Sequence, residues 1–132
     1  FMVRVGSGFS VKAWCVSLNG TFVFSVHRDP DGIMAAIIVL NAQQKEVFRL
    51  TTTTHLTSCS LSEFAEYLAL SFYGSSKGRE PYDNKLEVFN LKTGEVITSI
   101  DKDNELRHAE VIVTEPAGNV VAFYKGKSFK VC

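Results

Sequence analysis

Apolar and polar residues alternate in short blocks from one end of the chain to the other. Runs of four to eight residues rich in Val, Ile, Phe, Thr and Tyr are separated by clusters of Gly, Asn, Asp, Pro and Ser. That pattern predicts short β-strands joined by turns. Helical spacing is weak. Only residues 61–70, LSEFAEYLAL, space their apolar side chains as an amphipathic helix would, and their place in a repeat makes them turn followed by strand.

The repeat is visible by direct comparison, and a repeat, where present, governs the whole fold. Residues 37–47, IIVLNAQQKEV, align with residues 86–96, LEVFNLKTGEV: Val39 falls on Val88, Asn41 on Asn90, Glu46 on Glu95 and Val47 on Val96, an offset of 49. Each is strand, tight polar turn, strand. A second pair aligns SLSEFAEYLAL, 60–70, with IVTEPAGNVVA, 112–122, placing Glu63 on Glu115, Ala65 on Ala117 and Leu68 on Val120 at an offset of 52. Residues 17–24, SLNGTFVF, are a shorter hairpin of the same kind. Two hairpin types therefore alternate with a period near fifty residues.

This alternation resembles the blade of the WD-repeat (tryptophan-aspartate repeat) β-propeller family, which reads S-x-x-G-x-x-L-A and then x-V-W-D-x-x-T-G-x. Residues 86–100, LEVFNLKTGEVITSI, are similar to the third and fourth strands of such a blade. Phe89-Asn90 stands where the family has Trp-Asp, and Leu40-Asn41 stands there one blade earlier. Phe keeps a large apolar ring and Asn keeps a side-chain acceptor. His55 and His108 take the place of the histidine in the family's Gly-His pair, although Thr54 and Arg107 precede them and their spacing to Ser62 and Thr114 is short.

The resemblance implies an all-β, WD-repeat-like β-propeller segment of about three four-stranded antiparallel blades. With strands numbered outward from the propeller axis, one blade takes residues 13–18, 22–26, 34–40 and 46–51. A second takes 56–61, 67–72, 85–90 and 95–100. A third takes 109–114, 120–124 and 128–131, and residues 1–5, FMVRV, are expected to supply its missing outer strand. The blades thus span 13–51, 56–100, and 109–132 plus 1–5, a single propeller segment over 1–132. A fortuitous repeat in an open β-sandwich is the competing architecture.

Composition narrows the partners. With 45% hydrophobic residues the chain can bury a core, and 14 Lys plus Arg against 14 Asp plus Glu leave no net charge. Neutrality removes the electrostatic case for nucleic acid or an acidic membrane. No apolar run nears the roughly 20 residues of a membrane helix, and no signal peptide is visible at the N-terminus. Cys15, Cys59 and Cys132 are odd in number and widely spaced, as reduced core cysteines of an intracellular, cytoplasmic or nuclear, protein are. Asn19-Gly20-Thr21 forms a glycosylation tripeptide but reads first as a turn.

Candidate chemistry is sparse. His27, His55 and His108 lack HxH or HExxH spacing and suitably placed Cys or carboxylates, so no metal or cofactor is expected and His55 and His108 are assigned structural bonding across the blade. His27 to Gly32 contains Asp-Pro-Asp-Gly, a β-turn formula without the remaining ligands of a calcium loop. Gly6-Ser7-Gly8 has no following Lys-Ser/Thr or helix and reads as a link between blades. Glu63 and Glu66 fall in a polar turn, and no serine lies in a nucleophile elbow.

A binding surface follows from blade geometry instead. In an up-and-down blade, the loops from second to third strand and from fourth strand to the next blade emerge at one end. Residues 27–33 and 74–84, GSSKGREPYDN, are the long loops there, beside 51–55 and 101–107. Tyr73, Arg79 and Tyr82 are residue types favoured at interface hot spots, with Lys77, Arg28 and Asp29 behind them. The expected function is a non-catalytic protein-interaction scaffold within a larger protein or complex. The alternative is an accessory propeller of an enzyme whose catalytic domain lies elsewhere. A blade needs about 40 to 50 residues and a closed propeller at least about four blades. The expected partners are therefore a protein, the rest of its own propeller, or a second copy that completes six blades.

Overall fold

The computed structural model describes residues 2–4, 8–74, 81–103, 106–114, 119–124 and 126–131, with residues 2–4 and 124 described by backbone alone. Among these lie twelve strands and one 3-10 turn in three antiparallel sheets, each a simple meander. The first sheet runs β1 (Met2–Arg4), β2 (Phe9–Val16), β3 (Phe22–Arg28), β4 (Ile33–Leu40), β5 (Glu46–Thr51). The second runs β6 (Leu56–Leu61), β7 (Tyr67–Phe72), β8 (Lys85–Asn90), β9 (Val96–Asp101). After the 3-10 turn Leu106–His108, the third runs β10 (Glu110–Thr114), β11 (Asn119–Tyr124), β12 (Lys127–Lys130).

The repeated hairpin folds as its sequence dictates. Asn41 Oδ1 accepts from the backbone N–H groups of Gln43 and Lys45, both at 3.0 Å, while Asn41 N–H donates to the Lys45 carbonyl at 2.9 Å. Forty-nine residues on, Asn90 Oδ1 accepts from Lys92 N–H at 2.9 Å, and Asn90 N–H donates to the Glu95 carbonyl at 2.9 Å. In both hairpins an Asn side chain closes the turn against its own backbone. Phe89, in the Trp position, is 3% exposed and meets Phe48 at a ring separation of 4.9 Å.

Two apolar layers hold the three sheets together. Val23, Ile37 and Val39 of the first sheet pack against Leu68, Leu70, Phe72 and Phe89 of the second. On its other face, the second sheet presents Ala69, Leu86 and Val88 to Val111, Val113, Val120 and Ala122 of the third. The middle sheet is thus buried on both faces, which explains the near-continuous apolar run of β7. Every second residue of β3, namely Val23, Ser25 and His27, is buried against the second sheet, while Phe22, Phe24 and Val26 form the partly covered opposite face.

Strands β2, β6 and β10 of successive sheets lie side by side and are joined mainly by side chains. Val111 and Val113 N–H donate to Ser58 and Ser60 Oγ, each at 3.1 Å. At the first junction, Leu18 N–H donates to the Glu63 carbonyl at 3.2 Å and Asn19 Nδ2 to the Phe64 carbonyl at 2.8 Å. Residues 61–70 are turn and strand, and Ala65 takes φ +58° in that turn.

Two expectations need correction. Met2–Arg4 does not join the third sheet. It pairs with β2, with Met2 opposite Lys12 and Arg4 opposite Ser10, so the sheets have five, four and three strands. The short link from Arg4 to Phe9 closes a local hairpin at far smaller entropic cost than a long-range pairing. The segment 27–33 is also not a long loop: β3 extends through Arg28 and β4 starts at Ile33, leaving a four-residue turn closed by Gly32 N–H to the Arg28 carbonyl at 2.6 Å.

Candidate functional site

The turn β3–β4, the link β5–β6, the loop β7–β8 and the link β9–β10 meet at one end of the sheets, and a run of hydrogen bonds joins several of them. Tyr73 N–H donates to the His55 carbonyl at 2.7 Å, and Asn84 N–H to the Tyr73 carbonyl at 3.1 Å. Asn84 and Lys102 exchange two bonds: Lys102 N–H to the Asn84 carbonyl and Asn84 Nδ2 to the Lys102 carbonyl, both at 3.0 Å. Arg107 Nε donates to Asn84 Oδ1 at 3.2 Å, and Asp103 Oδ1 caps the 3-10 turn by accepting from Leu106 N–H at 2.8 Å. Asn84 holds φ +58°, a backbone state that asparagine tolerates better than most residues. The rings of His27 and His55 approach to 5.8 Å, which extends the rim to the first sheet.

Beside this rim opens a cleft of about 580 Å³ whose walls include Thr57, Tyr73, Arg107, His108 and Glu110. Tyr73 is 59% exposed at its edge. The cleft is mixed in charge, with Arg107 and Glu110 both in its walls.

Lys102 is the electrostatic exception. It is 3% exposed, and its Nζ donates to Ser71 Oγ at 2.9 Å, which in turn lies 3.3 Å from Thr57 Oγ1. Burial, with a smaller contribution from Arg107, lowers its pKa to about 8. Burial likewise lowers the pKa of His55, aided by the charges of His27 and Lys12. In the first sheet, Trp14 Nε1 donates to Ser25 Oγ at 2.8 Å, and Ser25 Oγ lies 2.6 Å from His27 Nε2. This buried chain gives His27 a structural role.

The residues singled out in sequence divide into four groups. Tyr73 stands exposed at the rim. Tyr82 instead stacks on Phe72 at 5.2 Å and is half-buried against the first core layer. Arg28 is exposed and pairs with Asp31 at 2.9 Å, while Asp29 N–H donates to the Gly8 carbonyl at 2.8 Å. Lys77 and Arg79 lie outside the described residues. Lys102, Asn84 and Arg107 were not singled out, although two of them belong to the link placed at this end. A lysine's burial leaves no local signature, because lysine is ordinarily a surface residue.

Among the described residues, no three His, Cys, Asp or Glu side chains gather as a metal site would require, and no helix is long and apolar enough to cross a membrane.

Three stacked antiparallel meanders whose strands β2, β6 and β10 adjoin define a partial β-propeller. Comparison with solved structures agrees. The β-propeller domain of Cps50 (Swd1) from Myceliophteria thermophila is 13% identical, with 99% of this chain matched to 40% of that one at a TM-score of 0.51. The WD40 domain of Toxoplasma gondii coronin is 11% identical over 84% of this chain and 26% of its own, at a TM-score of 0.48. The chain has a β-propeller type of fold and spans less than half the length of either structure. No family model matches it, and no curated protein does.

Proposed function

We propose that the chain is a non-catalytic protein-interaction scaffold that receives a protein partner at the rim around Tyr73 and Arg107. The observation that carries this reading is the hydrogen-bonded run from His55 through Tyr73, Asn84 and Lys102 to Arg107. It fixes loops from neighbouring sheets in one rigid frame beside an open cleft, and a preorganised rim loses little entropy on binding. Tyr and Arg are the side chains best suited to anchor a protein there. Lys77 and Arg79 belong to this proposal through their chain neighbours Gly74 and Pro81, which flank the same loop. Arg28 and Asp29 contribute from the adjacent turn. The remaining open sheet faces are covered by further propeller, in the same polypeptide or in a second copy, and the setting is cytoplasmic or nuclear.

The test is recovery of bound protein by cross-linking and mass spectrometry with Tyr73→Ala/Arg107→Ala against Lys92→Ala, which lies on the opposite turn. Partner recovery should fall about tenfold or more for the double variant alone, with its melting temperature close to wild type. Equal loss from both variants, or full recovery with the double variant, rejects the rim as the binding surface.

A further inference from the structure

We infer that Cys15 and Cys59 form a redox-controlled disulfide that clamps the first two blades together at their inner strands, with a small-molecule disulfide such as oxidised glutathione as oxidant. Cys15 lies on β2 and Cys59 on β6, adjacent strands of neighbouring sheets. Their Sγ atoms are 2.9 Å apart across the junction, although 44 residues separate them in sequence. A disulfide bond is about 2.05 Å long, so closure asks for about 0.9 Å of movement. Cys15 borders a break in the β2–β3 register between Ala13 and Cys15, where the strand has an irregularity able to take up such a shift.

Both cysteines are free and half-buried, and both line an open groove of about 500 Å³ with Trp14, Ser58, Ser60 and Val111. The groove gives a small disulfide a route to the pair. Burial, with the hydrogen bond from the Cys15 thiol, raises the Cys59 pKa, which keeps Cys59 protonated and slows its attack on a disulfide. In the first step, one thiol loses its proton and attacks a sulfur of oxidised glutathione, releasing one glutathione thiolate and leaving a mixed disulfide. In the second, the other cysteine loses its proton and attacks the protein-bound sulfur, releasing the second glutathione thiolate. The two protons lost appear on two molecules of reduced glutathione, and the chain is oxidised by two electrons. The bond would tie β2 to β6 covalently where the second junction, β6 to β10, relies on serine hydroxyls.

The experiment equilibrates the full chain carrying Cys132→Ser with glutathione buffers of increasing oxidised fraction, then blocks free thiols and measures intact mass and cross-linked peptides. The expected product is about 2 Da lighter than the dithiol, contains one Cys15–Cys59 linked peptide, and melts about 10 °C higher until a reductant is added. Cys59→Ala should remove both the linkage and the redox-dependent melting shift. Two free thiols, or two separate glutathione adducts without the linked peptide in excess oxidised glutathione, overturn the inference. The readout in the cysteine-intact pair stands even if Cys59→Ala folds poorly.

Discussion

Single residues reveal how much of a role can be read from chemistry and how much depends on placement. Phe89 and Asn90 perform the work that their types suggest, filling an inter-sheet core and closing a turn. Lys102 and Tyr82 do the opposite of what their types suggest, since a lysine is buried and a tyrosine becomes a core wedge. Lys102 has a measurable consequence. An unfolded lysine keeps its proton to about pH 10.5 and the folded one releases it near 8, so between these values the unfolded chain binds more protons and stability rises with pH. Below pH 8 the cost of the buried ammonium is fully present. Lys102→Met should therefore stabilise the chain by about 2 kcal/mol at pH 7, after loss of the bond to Ser71, with the advantage fading towards pH 10.5. Urea titrations of both proteins across that range check the slope. Glu87 has the opposite sign. Burial raises its pKa, and although Ser99 Oγ donates to Oε1 at 3.0 Å, Oε2 has no hydrogen bond. The folded chain then holds the extra proton, so stability falls as pH climbs through the window above the ordinary Glu value. Glu87→Gln should flatten that fall in the same titration.

At the scale of elements, the hairpin repeat was legible because its turns carry their own instructions in Asn41 and Asn90. The seat of β1 was not, because FMVRV has strand composition whichever edge it joins, and the length of its tether decides. The inner-strand contacts were equally hidden: Ser58 and Ser60 read as ordinary strand serines until β10 lies beside them. Their hydroxyls satisfy N–H groups of β10, whose one strand partner among the described residues, β11, lies on its other side. Ser58→Ala and Ser60→Ala should each cost about 1–3 kcal/mol by orphaning a buried donor, measured by chemical denaturation. Val88 and Phe89 point into the two core layers on opposite faces of the middle sheet. Val88→Asp and Phe89→Asp should each cost more than about 4 kcal/mol, and an unchanged melting temperature for both would sink this assignment of the second blade.

For the whole molecule, the end sheets differ from the middle one in what covers them. The first leaves Phe9, Val11, Phe24 and Val26 around a shallow hollow, and the third leaves Ile112 46% and Phe123 41% exposed. Apolar sheet faces of this kind bind one another when nothing else covers them. The isolated chain should therefore run above its monomer mass of 14.6 kDa in light scattering, and Ile112→Lys/Phe123→Lys should return it to monomer. A wild-type monomer at micromolar concentration would contradict this. The serine junction also sets how the molecule yields to force. Backbone ladders run within each sheet, while neighbouring sheets share side-chain bonds, apolar layers and, among the described residues, the single backbone bond from Leu18 to Glu63. A chain pulled from its two ends in an optical trap should lengthen in discrete jumps, one sheet at a time, the larger ones near 15 nm by a rough estimate from strand length. The molecule is in this sense a set of tear-off leaves, each ripping as a unit along a seam of side chains.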